Sequence, residues 1–288
     1  MKFAGTYTAL VTPFLPSGEV DYPRVEALIE AQIAAGVTGV LPVATTGECP
    51  TLSPREHADL IRRCIEIVNH RVQVIAGAGA NSTEEALFLT REAIAAGADA
   101  TLQVTPYYNK PTQTGLLRHF SAVADIGPVM LYNVPGRTGA EIAVETVAEL
   151  AKHPNVVCIK EAGGRVDRVS RIRSVCDLPV LSGDDSLTLP MMVLGATGVV
   201  SVASNVAPRL VVDMVNAALE GRWDDARALH YRLYPLFTDL FLEANPIPAK
   251  AALEMLGFGP AVYRLPLCEM SAAPREKLRA TLQKVGLL

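Results

Sequence analysis

The sequence predicts an α/β fold: a closed (β/α)8 TIM barrel with a small C-terminal helical appendage. Three observations lead there. Helix-like segments end in Ala34-Ala35-Gly36, Ala95-Ala96-Gly97 and Leu194-Gly195, and each is followed within a few residues by an apolar, strand-like run. Glycine just past a helix end is a common stop signal. Eight such runs recur at intervals of roughly twenty to thirty-five residues, the spacing of βα units. Finally, no Gly-x-Gly-x-x-Gly or Walker-type loop follows any of them, which speaks against an open nucleotide-binding sheet.

The predicted strands cover residues 6–11, 39–43, 72–76, 100–105, 129–133, 156–160, 179–182 and 198–202. Short runs this apolar are expected where helices cover both faces of a parallel sheet. Between them, Ser53-Pro54-Arg55-Glu56 offers a capping serine, a proline at the first helical position and a glutamate at the third. Ser82-Thr83-Glu84-Glu85 reads as a second capping box. Beyond residue 210 the strand pattern stops. Residues 210–219, 223–242, 248–256 and 273–285 read as helices, with Asn245-Pro246-Ile247-Pro248 as a rigid connector. The expected division is a catalytic barrel over 1–220 and a helical extension over 221–288 packed on it.

Composition bounds the function. Of 288 residues, half are apolar and 19% charged, and the net charge is -4, so there is no basic field for nucleic acid. The uncharged stretch 186–208 invites a membrane check. It contains Pro190, Gly195 and Gly198, and reads better as helix, turn and buried strand. The N-terminal residues Met1 to Thr6 lack the apolar core and cleavage site of a signal peptide. Cys49, Cys64, Cys158, Cys176 and Cys268 are scattered, odd in number and without a Cys-x-x-Cys pair. They read as reduced thiols of a cytoplasmic protein, with no disulfide framework and no cysteine metal site.

In a barrel of this kind the chemistry sits at the C-terminal ends of the strands. Those ends carry Thr45-Thr46-Gly47-Glu48, Tyr107-Tyr108-Asn109, Tyr132 to Thr138 (with Arg137), Lys160-Glu161, Gly183-Asp184-Asp185 and Val200-Ser201. Lys160 closes an apolar run. A lysine ammonium in such surroundings is expensive to keep charged, and the neutral amine is the form that attacks a keto acid. The alternative is a lysine that has left the strand and points to water. Strand alternation favours the inward reading: 156, 158 and 160 fall on one face, as do 130 and 132 on the preceding strand. At a strand spacing of about 4.8 Å, Tyr132 and Lys160 would meet at one barrel height. A phenol beside an amine suits proton shuttling during imine formation.

The set Thr45-Thr46-Gly47-Glu48, Tyr132-Asn133-Val134-Pro135-Gly136-Arg137-Thr138 and Ile159-Lys160-Glu161-Ala162 resembles the pyruvate-dependent Schiff-base lyases, the N-acetylneuraminate lyase superfamily, and most closely their dihydrodipicolinate synthase branch. The likeness runs from Gly5-Thr6-Tyr7 to Pro248-Ala249-Lys250. It implies that Lys160 forms an imine with pyruvate, which is then joined to L-aspartate 4-semialdehyde in the committed step of lysine (diaminopimelate) biosynthesis. It further implies that Tyr132 moves protons, with Thr45 and a neighbouring subunit's Tyr108 completing the relay. Thr46 would hold the pyruvate carboxylate, the Val200 carbonyl would line the pocket, and Arg137 would grip the semialdehyde carboxylate. A homotetramer of tight dimers, with no metal or organic cofactor, follows from the same resemblance.

It also implies an L-lysine inhibitor site matching Pro50, Asn81, Glu85 and Tyr107. Two residues depart from the lysine-sensitive pattern: Pro54, where a contacting side chain is usual, and Cys49, where a small hydroxyl residue is common. Competing expectations are an N-acetylneuraminate or 2-keto-3-deoxy sugar acid lyase, which would keep Lys160 and Tyr132 but differ at Thr46 or Arg137, and a catalytically idle metabolite-binding barrel.

Overall fold

The computed structural model describes residues 3–288, so Met1 and Lys2, part of the N-terminal reading, lie outside the described residues. Eight parallel strands close into a barrel in sequence order. They are β1 (Gly5–Ala9), β2 (Gly39–Leu41), β3 (Gln73–Gly77), β4 (Ala100–Val104), β5 (Val129–Asn133), β6 (Val156–Glu161), β7 (Val180–Ser182) and β8 (Gly198–Ser201). β1 pairs with both β2 and β8, which leaves no free edge.

The helices are α1 (Tyr22–Ala35), α2 (Pro54–Val68), α3 (Thr83–Ala96), α4 (Gln113–Ala124), α5 (Pro135–Thr138), α6 (Val144–Leu150), α7 (Asp167–Arg173), α8 (Thr188–Val193) and α9 (Pro208–Leu219). Three more follow the barrel: α10 (Trp223–Asp239), α11 (Ile247–Met255) and α12 (Ala272–Val285). Ile247 and Pro248 open α11, so the expected connector is shorter than the sequence suggested. The glycines that end α1 and α3 adopt the left-handed conformation, Gly36 at φ 86° and Gly97 at φ 101°. The stretch 186–208 resolves into short helical turns around α8 and β8, and among the described residues no helix is long and apolar enough to cross a membrane.

The capping box of α2 is complete, with Ser53 and Glu56 bonding each other's backbone amides. At α3 only half of it forms. Ser82 accepts from the Glu85 amide at 3.4 Å, but no bond returns from the Glu85 carboxylate, which is exposed.

Two apolar layers hold the structure. Tyr7, Leu41, Ile75, Leu102, Met130, Cys158, Leu181 and Val200 fill the barrel, and a larger cluster packs the strands' outer faces against the helices. Each fully buried Leu, Ile or Met contributes about 1.5–3 kcal/mol.

The expected alternation holds for 158 and 160 but not for 156. The register shifts between β5 and β6, with Val129 opposite Val156 and Met130 opposite Cys158. The extra residue, Val157, turns Val156 outward into the helix-facing layer, while Cys158 lies in the interior. Alternation alone cannot report a bulge, because the period of two simply restarts after it.

Candidate active site

Beyond the bulge, Tyr132 pairs with Lys160 and Asn133 with Glu161. Lys160 and Tyr132 are both 5% exposed, and the lysine Nζ lies 4.2 Å from the phenol ring centroid. The amine is therefore inside the barrel mouth, not in water. Gly183 gives it room: a methyl group there would sit 2.9 Å from Lys160 Cε and 2.7 Å from Ala162 Cβ. Asp184 is the nearby carboxylate. Burial pushes its acid up from the ordinary value, and the Lys160 charge pulls it back down.

One residue on, alternation sends Glu161 outward into a buried ion pair with Arg168, part of a wider network. Its carboxylate accepts from Asn133 Nδ2 at 2.9 and 3.1 Å, from the Gly163 amide at 2.8 Å and from Arg168 Nε at 2.9 Å. Arg168, 1% exposed, also donates to Glu141 at 2.6 Å and to the Ile142 carbonyl at 2.8 Å. Burial raises the Glu161 acid, while Arg168 and Asn133 hold it down. These partners fix the end of β6, and with it the stem of Lys160. A second pin holds β8, where Val200 is fully buried: Asp185 accepts from Ser201 Oγ at 2.5 Å and from the amides of Val202 and Ala203 at 3.0 and 2.9 Å.

The loop after β2 brings the threonine pair to the same end of the barrel. Thr46 is buried and Thr45 half-buried, and Thr45 shares a small cavity with Tyr132, Cys49, Gly79 and Val104. Thr12 anchors this loop by donating to the Gly47 carbonyl at 2.7 Å. Burial pushes the Cys49 thiol up to about 12, so it stays protonated and unreactive at neutral pH. Arg137 lies on α5, exposed, with its guanidinium 3.5 Å from the Asn245 carbonyl. Tyr108 stands apart. It is 91% exposed, at φ 73°, and projects away from the chain rather than into the barrel.

The predicted inhibitor residues lie on one stretch of surface. Pro50 and Glu85 are exposed, Asn81 is half-buried, and the Asn81 carbonyl accepts from Asn109 Nδ2 at 2.9 Å. Burial, and then the nearby Cys49 and Glu85, raise the Tyr107 phenol above its usual range. Pro54 occupies the first position of α2.

Sequence reasoning missed the C-terminal contributions to this loop. Asn245 Nδ2 donates to Thr46 Oγ1 at 2.9 Å, and Lys250 Nζ meets Glu48 Oε1 at 2.5 Å in a buried ion pair. Lys250 also stacks over the Phe14 ring at 4.4 Å. Arg264 donates from its amide to Glu48 and from its guanidinium to the carbonyls of Gly18 and Thr51. The local signal was weak: a buried lysine and asparagine inside the 245–250 motif, with partners about two hundred residues away.

Among the described residues, no group of three or more His, Cys, Asp or Glu side chains is placed to hold a metal ion. The five cysteines are unpaired.

Comparison with known proteins identifies the family. Residues 2–285 match the model of the dihydrodipicolinate synthetase family. A 4-hydroxy-tetrahydrodipicolinate synthase of Methanococcus vannielii is 48% identical over 287 residues, 99% of each chain. The solved 4-hydroxy-tetrahydrodipicolinate synthase of Methylacidiphilum fumariolicum SolV superposes with a TM-score of 0.97 at 50% identity, covering 99% of this chain and 96% of its own. A chloride-inhibited dihydrodipicolinate synthase of Acinetobacter baumannii, solved in complex with pyruvate, gives a TM-score of 0.97 at 42% identity and covers 100% of both chains. This chain belongs to the dihydrodipicolinate synthetase family.

Proposed function

We propose that the chain catalyses the condensation of pyruvate with L-aspartate 4-semialdehyde to give 4-hydroxy-tetrahydrodipicolinate, through an imine on Lys160. The observation that carries this reading is the buried amine of Lys160 set 4.2 Å from the ring of Tyr132 at one barrel height. The Lys160 amine adds to the pyruvate carbonyl and water leaves, forming the imine. Loss of a methyl proton gives the enamine, whose carbon attacks the semialdehyde. The semialdehyde's own amine then closes on the imine carbon and expels Lys160. Tyr132 moves the protons, relayed through Thr45 and a neighbouring subunit's Tyr108. Thr46 holds the keto-acid carboxylate, the Val200 carbonyl lines the pocket and Arg137 receives the second carboxylate. The chemistry needs no metal or organic cofactor.

The near-complete exposure of Tyr108 in the single chain supports an assembly in which a second chain receives it, within a homotetramer of two tight dimers. The reading divides the chain into a catalytic barrel, 1–220, and a helical extension, 221–288, and places it in the cytoplasm, in keeping with its unpaired thiols. It also places an L-lysine site at Pro50, Asn81, Glu85 and Tyr107. Pro54 at the start of α2 has no side-chain donor to add to that site, so inhibition by L-lysine is expected to be weak.

Two measurements test the reading. Incubation with pyruvate and borohydride should leave a reduced pyruvyl group on the peptide holding Lys160, and an adduct elsewhere, or none, sinks the mechanism. Turnover of pyruvate with aspartate semialdehyde is then set against cleavage of N-acetylneuraminate. Preference for the sugar overturns the substrate assignment.

A further inference from the structure

Asn245 lies in none of the strand-end loops that build the site, yet its side chain is buried against one of them. It is 7% exposed, and its Nδ2 donates to Thr46 Oγ1 at 2.9 Å across 199 positions of sequence. Its other side-chain atom, Oδ1, is buried without a hydrogen-bond partner. Leaving a buried carbonyl unpaired costs about 1–3 kcal/mol, so simple packing is a poor account of an amide here. The bond it does make has a chemical consequence. A hydroxyl has one proton to give and two lone pairs. With Asn245 filling a lone pair of Thr46, the hydroxyl proton is left to point at an acceptor elsewhere.

We propose that Asn245 is a positioning residue that fixes Thr46 as a hydrogen-bond donor toward the carboxylate of the keto-acid substrate. The inference rests on the reading that Thr46 receives that carboxylate. Asn245 touches no reacting atom; it selects for an anionic acceptor by setting the direction of one proton. Its link to Arg137 runs through the backbone carbonyl, at 3.5 Å, which a side-chain substitution leaves in place. The side chain therefore acts on one substrate and not on the other.

The test measures the pyruvate concentration that half-saturates borohydride trapping on Lys160, with KM for both substrates, in Asn245→Ala, Asn245→Asp, Thr46→Val and the Thr46→Val/Asn245→Ala double variant. Asn245→Ala should raise the half-saturating pyruvate about tenfold, the size of one weakened hydrogen bond to a charged group. Asn245→Asp keeps the shape, but its carboxylate accepts the Thr46 proton and repels the substrate, so the rise should reach about a hundredfold. KM for the semialdehyde should stay within about threefold in both variants. In the Thr46→Val background, Asn245→Ala should add less than about twofold, because its route to the substrate is already gone.

Equal rises in both KM values, or full additivity with Thr46→Val, overturn the proposal. Melting curves check that each variant is folded. If the alanine variant is not, the aspartate variant of matching shape decides the matter alone. A wild-type chain that traps no pyruvate on Lys160 overturns the catalytic reading instead, and is distinguished by that result.

Discussion

Lys160 stands directly opposite Tyr132 in the β5–β6 register, its Nζ 4.2 Å from the ring centroid, so amine and phenol share one level of the barrel mouth. Tyr132→Phe keeps the ring under the amine and removes only the proton carrier. General acid–base groups of this kind are worth about 10²–10⁴ in rate. The variant should therefore lose about that much in kcat while still yielding some borohydride-trapped adduct on Lys160 over long incubation. Wild-type kcat in Tyr132→Phe would remove the phenol from the mechanism.

Gly183 tests how closely the amine must be placed. Alanine there would put a methyl group 2.9 Å from Lys160 Cε, inside any normal contact distance, with Ala162 Cβ closing the other side. The lysine stem is the softer neighbour and must move. Displacements near 1 Å cost reactions of this type about a hundredfold. Gly183→Ala is expected to lower kcat by about tenfold or more with a small change in melting temperature, measured side by side. Full activity would show that the stem has slack.

Tyr108 provides a mixing experiment. Neither Lys160→Ala nor Tyr108→Phe chains should be fully active alone. If Tyr108 serves a neighbour's site, a heterodimer of the two has one site with both residues intact. Random reassembly of equal amounts makes about half the dimers mixed, and recovers about a quarter of wild-type activity. A mixture no more active than the average of its parents would place Tyr108 in its own chain's site.

The C-terminal extension is tied to the barrel by a pH-sensitive contact. Glu56 accepts from Arg264 at 2.6 Å, and this bond, followed by the Ser53 amide, lowers its acid from 4.5 to about 2. A carboxylate whose folded value is depressed adds stability above its unfolded value and loses it as pH falls toward the folded one. The Glu56 side chain is 35% exposed, so screening reduces the contribution to about 1–2 kcal/mol. Glu56→Gln should melt several degrees below wild type at pH 7, and the gap should narrow between pH 4.5 and 2. A gap independent of pH would mean that the charge does not matter.

Much of the barrel was legible because its signals are local. Glycines past helix ends and short apolar runs mark all eight strands, although β2 stops at Leu41 rather than residue 43, where Val43 takes a positive φ of 57°. Lys160 and Tyr132 were legible because alternation fixes which face a residue takes, and it survived the bulge at Val157 only because both pairs lie beyond it. Glu85 shows the limit of a motif. The spacing of a capping box was present, but the side chain turned to solvent. Asn245, Lys250 and Arg264 were out of reach for a different reason. Their partners, Thr46, Glu48 and Glu56, lie about two hundred residues away, and no periodicity in a sequence reports where a late segment folds back over an early one.

The carboxylate of Glu161 bears on how the chain can change. On the proposed mechanism Lys160 is covalently loaded and released in each cycle, and the strand beneath it must not follow. Here the next residue along the strand is held from four directions, by an amide side chain, a loop N–H, a guanidinium and the strand pairing itself. The moving part is thereby confined to four methylenes of one lysine. Substitutions in the loop after β2 leave that anchorage in place, whereas a change at Arg168 or at its partner Glu141, on the far side of the barrel wall, reaches Lys160 through a single covalent neighbour.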